Sequence, residues 1–389
     1  MTLVPPYFDY LSTTPVDPRV TAKMSVYLND ADMVFFGNPA SQHYYGSLAK
    51  QLVGQARTEV ASLVNCEEEA IIWTSGATEA NNLAIQGAAN YYKRQGNHLI
   101  TCTTEHKSVL ATFNYLESIG FEVTYLDPQP DGRLALEKLA QSFRQNTILV
   151  SIMQVNSETG VIQDLERIGE LTSSRGILFH VDGAQSVGKI PVNLKQLKVD
   201  LMSFSTHKIY GPKGIGALYV RTSPSKLRIS PLCYGASQEN GLRPGTLPVV
   251  LIVGMGEAFR LAKMEMVAES NRIGELRERL WQGLKKLPEV YLNGSVEHRV
   301  SGVLNVSFGG ISSDSYPLST KFEKLAISSF SACNGLQQFG NTSKVLKAMG
   351  VAESLIANSI RFSIGRFTTI EEVDFAVEYV SELIKFLRN

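Results

Sequence analysis

An excess of charge of either sign is the first thing this 389-residue sequence lacks. Its 37 Lys and Arg stand against 37 Asp and Glu, for a formal net charge of zero. Nucleic-acid binders usually carry a basic surplus and polyanion mimics an acidic one, so neither is expected and small-molecule chemistry is the starting reading. Long apolar runs are missing too. The longest, near residues 147–153, is strand-sized and far short of the roughly 20 residues that a membrane helix needs. The opening Met1-Thr2-Leu3-Val4-Pro5-Pro6 has neither a basic start nor an apolar stretch, so no secretory signal is expected. Cysteine is scarce: Cys66, Cys102, Cys233 and Cys333 are the only four, and none forms a Cys-x-x-Cys pair. That excludes a disulfide framework and leaves reduced thiols in a cytoplasmic protein.

What is present is ordinary in amount and regular in order. A hydrophobic content of 44% supports a sizeable core, and the length suits two or three domains. From about residue 50, helical stretches (48–64, 77–95, 108–119, 135–143) alternate with short apolar runs. The runs lie at 70–74, 98–101, 122–126, 147–153, 177–182, 200–205 and 216–220. Such alternation implies a largely parallel sheet covered by helices on both faces. A long helical segment then begins near Val250 and runs through 265–287, with Arg272, Glu275, Glu278 and Arg279 on a charged outer face. Strand-like 303–308 and 325–328 and a helix at 370–388 complete a second, smaller α+β domain. The expected division gives 15–250 to the large domain, and 1–14 with 251–389 to the small one.

Four motifs sit at expected strand ends. Thr74-Ser75-Gly76-Ala77-Thr78-Glu79 breaks a strand into a helix through small residues, offering free N–H groups to a phosphate. In His180-Val181-Asp182-Gly183-Ala184-Gln185, a strand-terminal carboxylate can keep a pyridinium nitrogen protonated, and Gln185 can bond a ring oxygen. Ser203-Phe204-Ser205-Thr206-His207-Lys208 brings a lysine to the same sheet edge, where a desolvated amine can form an imine; Ser205 and His207 are placed for phosphate. Thr104-Glu105-His106-Lys107 offers a histidine that can stack on a flat ring and move protons. Each alone has a plainer reading: a helix cap, a capping Asp, a solvated lysine, a structural histidine. The run Tyr210-Gly211-Pro212-Lys213-Gly214-Ile215-Gly216 is not a Walker A loop, since no Ser or Thr follows Lys213. The combination carries the argument.

Together with Asp9-Tyr10, Thr13-Thr14-Pro15-Val16-Asp17-Pro18-Arg19, Phe36-Gly37-Asn38-Pro39-Ala40-Ser41, Gly245-Thr246-Leu247-Pro248 and Ser359-Ile360-Arg361-Phe362-Ser363, these motifs make the chain recognisable. It resembles the class V cysteine desulfurases, the IscS/NifS-like group, within fold type I of the pyridoxal-phosphate enzymes, over nearly its whole length. The resemblance implies an α/β fold, with a mainly parallel seven-stranded sheet sandwiched by helices and a smaller α+β domain. It also implies pyridoxal 5′-phosphate held as a Schiff base on Lys208, with Asp182 on the ring nitrogen, Gln185 on the ring oxygen and His106 stacked. Ala77, Thr78, Ser205 and His207 match the phosphate cradle, and Thr246 matches a threonine supplied by the neighbouring subunit, which implies a homodimer. Arg361 matches the residue that binds the carboxylate of the L-cysteine substrate.

Cys333, in Ser328-Ser329-Phe330-Ser331-Ala332-Cys333-Asn334-Gly335, matches the family's nucleophile, which takes sulfur as a persulfide for an acceptor protein. The sulfur could serve iron–sulfur assembly, tRNA thiolation or DNA phosphorothioation. Departures are specific. Phe330 stands where the family usually has glycine, and Ser157 where a second asparagine commonly contacts cofactor and substrate. Pro244 stiffens a loop that usually has serine there. The last residue, Asn389, follows the final helix where relatives often carry a scaffold-binding tail, which leaves room for a dedicated role. Competing readings are another pyridoxal-phosphate reaction, such as selenocysteine lyase or transamination, and a non-catalytic docking platform. Cys333 argues against transamination, and the joint presence of Lys208, Asp182, His106 and Cys333 against a platform.

Overall fold

The computed structural model describes residues 4–29, 33–224, 227–311, 318–329 and 343–389. Helix α1 (Pro18–Leu28) starts at Asp17, whose carboxylate accepts the Arg19 N–H, while Pro18 occupies the first turn, where its missing N–H is not needed. Helix α2 (Tyr44–Val64) ends at Asn65 in the left-handed conformation. An alternating series follows: β1 (Ile71–Thr74), α3 (Ala77–Tyr92), β2 (His98–Cys102), α4 (Lys107–Ser118), β3 (Glu122–Leu126), α5 (Leu136–Ser142), β4 (Thr147–Ser151) and α6 (Leu165–Ser173). Next come β5 (Leu178–Asp182), β6 (Leu201–Ser205) and β7 (Gly216–Val220).

These strands form one seven-stranded sheet in the order β1-β7-β6-β5-β4-β2-β3. Its pairs are parallel except for β7, which runs antiparallel to both β1 and β6. Strands β2, β4, β6 and β7 are buried throughout, as expected where helices cover both faces. The expected mainly parallel sheet is therefore present. Its carboxyl-end edge gathers the loops after β1, β2, β4, β5 and β6, where ligands sit in sheets of this kind.

Helix α7 (Val249–Leu284) leads to β8 (Val290–Leu292), β9 (Val303–Phe308), α8 (Lys344–Ala348), α9 (Glu353–Ala357), β10 (Ser359–Ser363) and α10 (Ile370–Arg388). Strands β10, β9 and β8 make a second, antiparallel sheet. Helix α7 contributes to the cores beside both sheets. Ile252, Met255 and Phe259 enter the core beneath the large sheet, whereas Ile273, Leu276, Leu280 and Leu284 pack with Phe8, Phe308, Phe362 and the inner face of α10.

One expected strand is absent. Residues 325–328 make only isolated bridges, Ala326 to Tyr7 and Ser328 to Arg361. The reason is competition for backbone groups: Ala326 exchanges hydrogen bonds with Pro6 and Phe8, while Ser328 accepts from Arg361 of β10. No single ladder is long enough to be a strand. The N-terminal segment thereby runs from the second sheet to the first, where Leu11, Ser12 and Thr13 contact the turn after β6. Among the described residues, no helix is long and apolar enough to cross a membrane.

Candidate active site

A cleft of about 470 Å³ opens at the carboxyl edge of the large sheet. Ten of the expected residues line it: Ala77, Thr78, His106, Ser157, Asp182, Gln185, Ser205, His207, Lys208 and Arg361. Thr246 does not. It is exposed on the loop before α7 and is absent from the walls of its own chain's cleft. Cys333 lies outside the described residues.

One wall is the start of α3. Gly76 caps this helix with no side-chain hydrogen bond, leaving N–H groups of the first turn directed at the cleft. Gly216 allows the turn to sit there: a Cβ on it would meet the Phe204 carbonyl oxygen at 2.5 Å and Gly76 Cα at 2.7 Å. Opposite, Ser205 ends β6, and Thr206–Lys208 form a single 3-10 turn. His207 Nδ1 lies 3.1 Å from Thr13 Oγ1, and the His207 carbonyl accepts the Thr14 N–H. Burial, with Lys208, Lys213 and Lys189 nearby, pushes the His207 pKa down to about 4. The surroundings are cationic and suit an anion.

Asp182 sits at the end of β5, 6% exposed. Its Oδ1 accepts the Ala184 N–H at 2.9 Å, and its Oδ2 accepts Asn81 Nδ2 at 2.8 Å. Asn81 also donates to Ser108 Oγ, which lies 2.8 Å from His106 Nδ1. The Ser108 N–H also points at that nitrogen, 3.2 Å away, so Nδ1 is an acceptor and the neutral ring carries its proton on Nε2. This chain fixes both aspartate and histidine. Asn81 and Ser108 were not named from the sequence; their helices gave no sign that they meet. Beneath them Glu105 is fully enclosed. Burial raises its pKa well above the ordinary value, opposed by the Met153 N–H that its Oε1 accepts and aided by the Asp182 charge.

Lys208 Nζ donates to the carbonyls of Leu11 and Ser12, the latter at 2.7 Å. Gln185 Nε2 donates to the same Leu11 carbonyl, 2.9 Å away. Arg361 reaches the cleft from β10 and is 1% exposed. Its Nη2 contacts Asp9 Oδ1 at 2.6 Å and Ser12 Oγ at 2.8 Å, and its Nη1 donates to the Ser157 carbonyl at 2.7 Å. The role of the Leu11–Ser12 segment could not be read from sequence, because it arises from a crossing of nearly 200 residues in chain separation.

The described cysteines offer no competitor in the cleft. Burial pushes Cys66 up to about 12 and Cys102 up to about 11, while Cys233 is exposed away from the lining residues. No group of side chains suited to a metal ion occurs among the described residues.

Residues 6–375 match the family described as Aminotransferase class-V. A protein named cysteine desulfurase IscS from Edwardsiella ictaluri is 54% identical over 387 residues, covering 99% of this chain and 94% of that protein. One of the same name from Escherichia coli is 53% identical, with the same coverage. Among solved structures, a NifS-like protein superposes with a TM-score of 0.89 at 35% identity, covering 99% of this chain and 100% of its own. A structure described as SspA in complex with cysteine gives 0.80 at 35% identity, with 94% and 100% covered. DndA from Streptomyces lividans gives 0.76 at 36%, with 93% and 99% covered.

Proposed function

Because the chain belongs to the class-V aminotransferase family, and within it to the cysteine desulfurases, we propose that it takes sulfur from free L-cysteine, releasing L-alanine and leaving a persulfide on Cys333. The observation that carries the reading is the convergence of Lys208, Asp182, His106 and the open start of α3 on one cleft. Its volume of about 470 Å³ suits a small ligand.

Pyridoxal 5′-phosphate fits this set of donors. Ala77, Thr78, Ser205 and His207 would hold its phosphate, and Asp182, anchored by Asn81, its ring nitrogen. His106 would take the ring face, Gln185 and Ser157 its polar edge, and Lys208 the covalent link. Bound there, the group supplies an electron sink that weakens the Cα–H bond of an attached amino acid.

The remaining chemistry belongs to the chain. Arg361 holds the substrate carboxylate from a position set by Asp9, Ser12 and the Ser157 carbonyl. Lys208 moves the Cα proton, and His106, with Nδ1 occupied, handles a second proton at Nε2. A Cys333 thiolate then attacks the substrate sulfur. The S–S bond forms as the carbon–sulfur bond breaks; the electron pair stays with the carbon fragment, which is protonated and leaves as alanine. The raised pKa values of Cys66 and Cys102 support this choice.

The proposal extends to organisation. Residues 15–250 form the cofactor-binding domain, and 1–14 with 251–389 the smaller one. A homodimer completes each cleft with Thr246 of the other subunit, consistent with its position outside its own cleft. The persulfide passes to a sulfur-acceptor protein in the cytoplasm. The cofactor assignment is tested by loading the purified protein with pyridoxal 5′-phosphate. A visible band that borohydride abolishes is expected in the wild type and not in Lys208→Ala; an undiminished, borohydride-sensitive band in Lys208→Ala overturns the assignment.

A further inference from the structure

Lys189 takes no part in the steps above, yet it sits directly behind the cleft. With Lys208 it lines a second cavity of about 50 Å³, alongside Tyr10, Tyr210 and Glu269. Lys189 is itself half-buried. Lys189 Nζ donates to Gln185 Oε1 at 2.7 Å. Gln185 Nε2 in turn donates to the Leu11 carbonyl at 2.9 Å, the carbonyl that also accepts from Lys208.

A glutamine amide can turn over by half a rotation, exchanging its donor for its acceptor, and many sites tolerate either arrangement. This one does not. An ammonium offers only hydrogens and a carbonyl only lone pairs, so a turned amide would face hydrogens with hydrogens and oxygen with oxygen. Gln185 Nε2 carries two hydrogens, of which Leu11 takes one. The second is left for the cleft, which Gln185 lines.

We infer that Lys189 is a positioning residue for the cofactor: it locks the Gln185 amide with its N–H side toward the ring oxygen and adds positive charge beside Lys208. This rests on the pyridoxal-phosphate reading above. The charged groups facing Lys189 are Lys208, Arg361 and Glu269. Glu269 is engaged by Arg366 Nε and Nη2 at 3.1 and 2.9 Å. Burial, then Lys208 and Arg361, pulls the Lys189 pKa down to about 7, with Glu269 opposing. An anionic phosphate entering the cleft favours the charged, donor-only form.

The test is a pH titration of the visible band of the cofactor-loaded protein, with cofactor retention measured by dialysis. Replacing Lys189 by methionine removes both a cation and the clamp on the ring-oxygen donor, and both losses favour the protonated chromophore. The midpoint in Lys189→Met should rise by about one pH unit and retention should fall about tenfold. Lys189→Arg, which keeps a donor-only cation, should restore the wild-type midpoint. Should Lys189→Met fail to fold, Gln185→Glu, which loses the N–H but keeps the Lys189 partner, must move the midpoint the same way. A wild-type midpoint and retention in Lys189→Met, an Arg variant indistinguishable from Met, or an unmoved Gln185→Glu overturns the inference. Absence of any band in the wild type instead overturns the cofactor reading beneath it.

Discussion

His180 shows how a polar residue can serve the site without touching it. It points into the sheet from β5, with Nδ1 2.8 Å from Ser151 Oγ and Nε2 3.1 Å from Ser203 Oγ. Burial pushes its pKa down to about 4, with the Asp182 charge opposing. The unfolded chain binds this proton near pH 6.5 and the folded chain only near pH 4. The folded state is thus free of this penalty above pH 6.5 and loses stability as pH falls toward 4, on the order of 3 kcal/mol over the full window. His180→Gln should flatten the dependence of unfolding free energy on pH between 6.5 and 4 in denaturant titrations; an unchanged slope would mean that other groups carry it. At this scale the sequence was informative about chemistry and silent about partners. Lys208, Asp182 and His106 could be named from residue type and strand-end position. Asn81, Ser108 and Lys189 could not, since each acquires its role from a neighbour on another element.

Among the elements, the turn from β1 into α3 bears most directly on function. Its first-turn N–H groups are useful only if β7 runs close behind, and Gly216 is where it does so. A methyl group there must displace either the Phe204 carbonyl or Gly76. Gly216→Ala is expected to cost about 1–3 kcal/mol of stability and to weaken cofactor retention at the same time. Thermal melts with and without cofactor measure the two effects, and a variant that loses stability but keeps wild-type retention would detach the turn from phosphate binding. The alternating pattern made most of the large sheet legible, because buried parallel strands and amphipathic helices leave different periods in the sequence. Short elements were harder. Helices α1 and α6 went unnamed, although Asp17-Pro18 and Asp164 are ordinary start signals. Residues 325–328 looked strand-like for the opposite reason: they are apolar enough, but their backbone partners are divided between the N-terminal segment and β10.

At the scale of the whole molecule, the segments carrying the two sheets meet beside the cleft. Arg366 is central to that junction, with Asp17 at 2.7 Å, Glu269 at 2.9 Å and the Tyr210 ring at 4.3 Å from its guanidinium carbon. Arg361 bridges the same gap through the Ser157 carbonyl. Both arginines pair with aspartates about 350 residues away in the chain, which local sequence does not encode. Thr246 has no place in the cleft of its own chain, so its proposed role belongs to the dimer. Co-expression of Lys208→Ala and Thr246→Ala chains separates the possibilities. If Thr246 acts across the interface, the mixed dimer contains one site with both residues intact and recovers about half of wild-type activity per dimer. If it acts within its own chain, every site is defective and nothing is recovered. The central claim, that Cys333 takes the sulfur of L-cysteine, is tested most directly by mass spectrometry of the cofactor-loaded enzyme after a single turnover. One added sulfur on the Cys333 peptide, matched by one alanine and lost in Cys333→Ser, is the expected result. Sulfur on Cys66, Cys102 or Cys233 instead, or alanine released at an undiminished rate by Cys333→Ser, would contradict it.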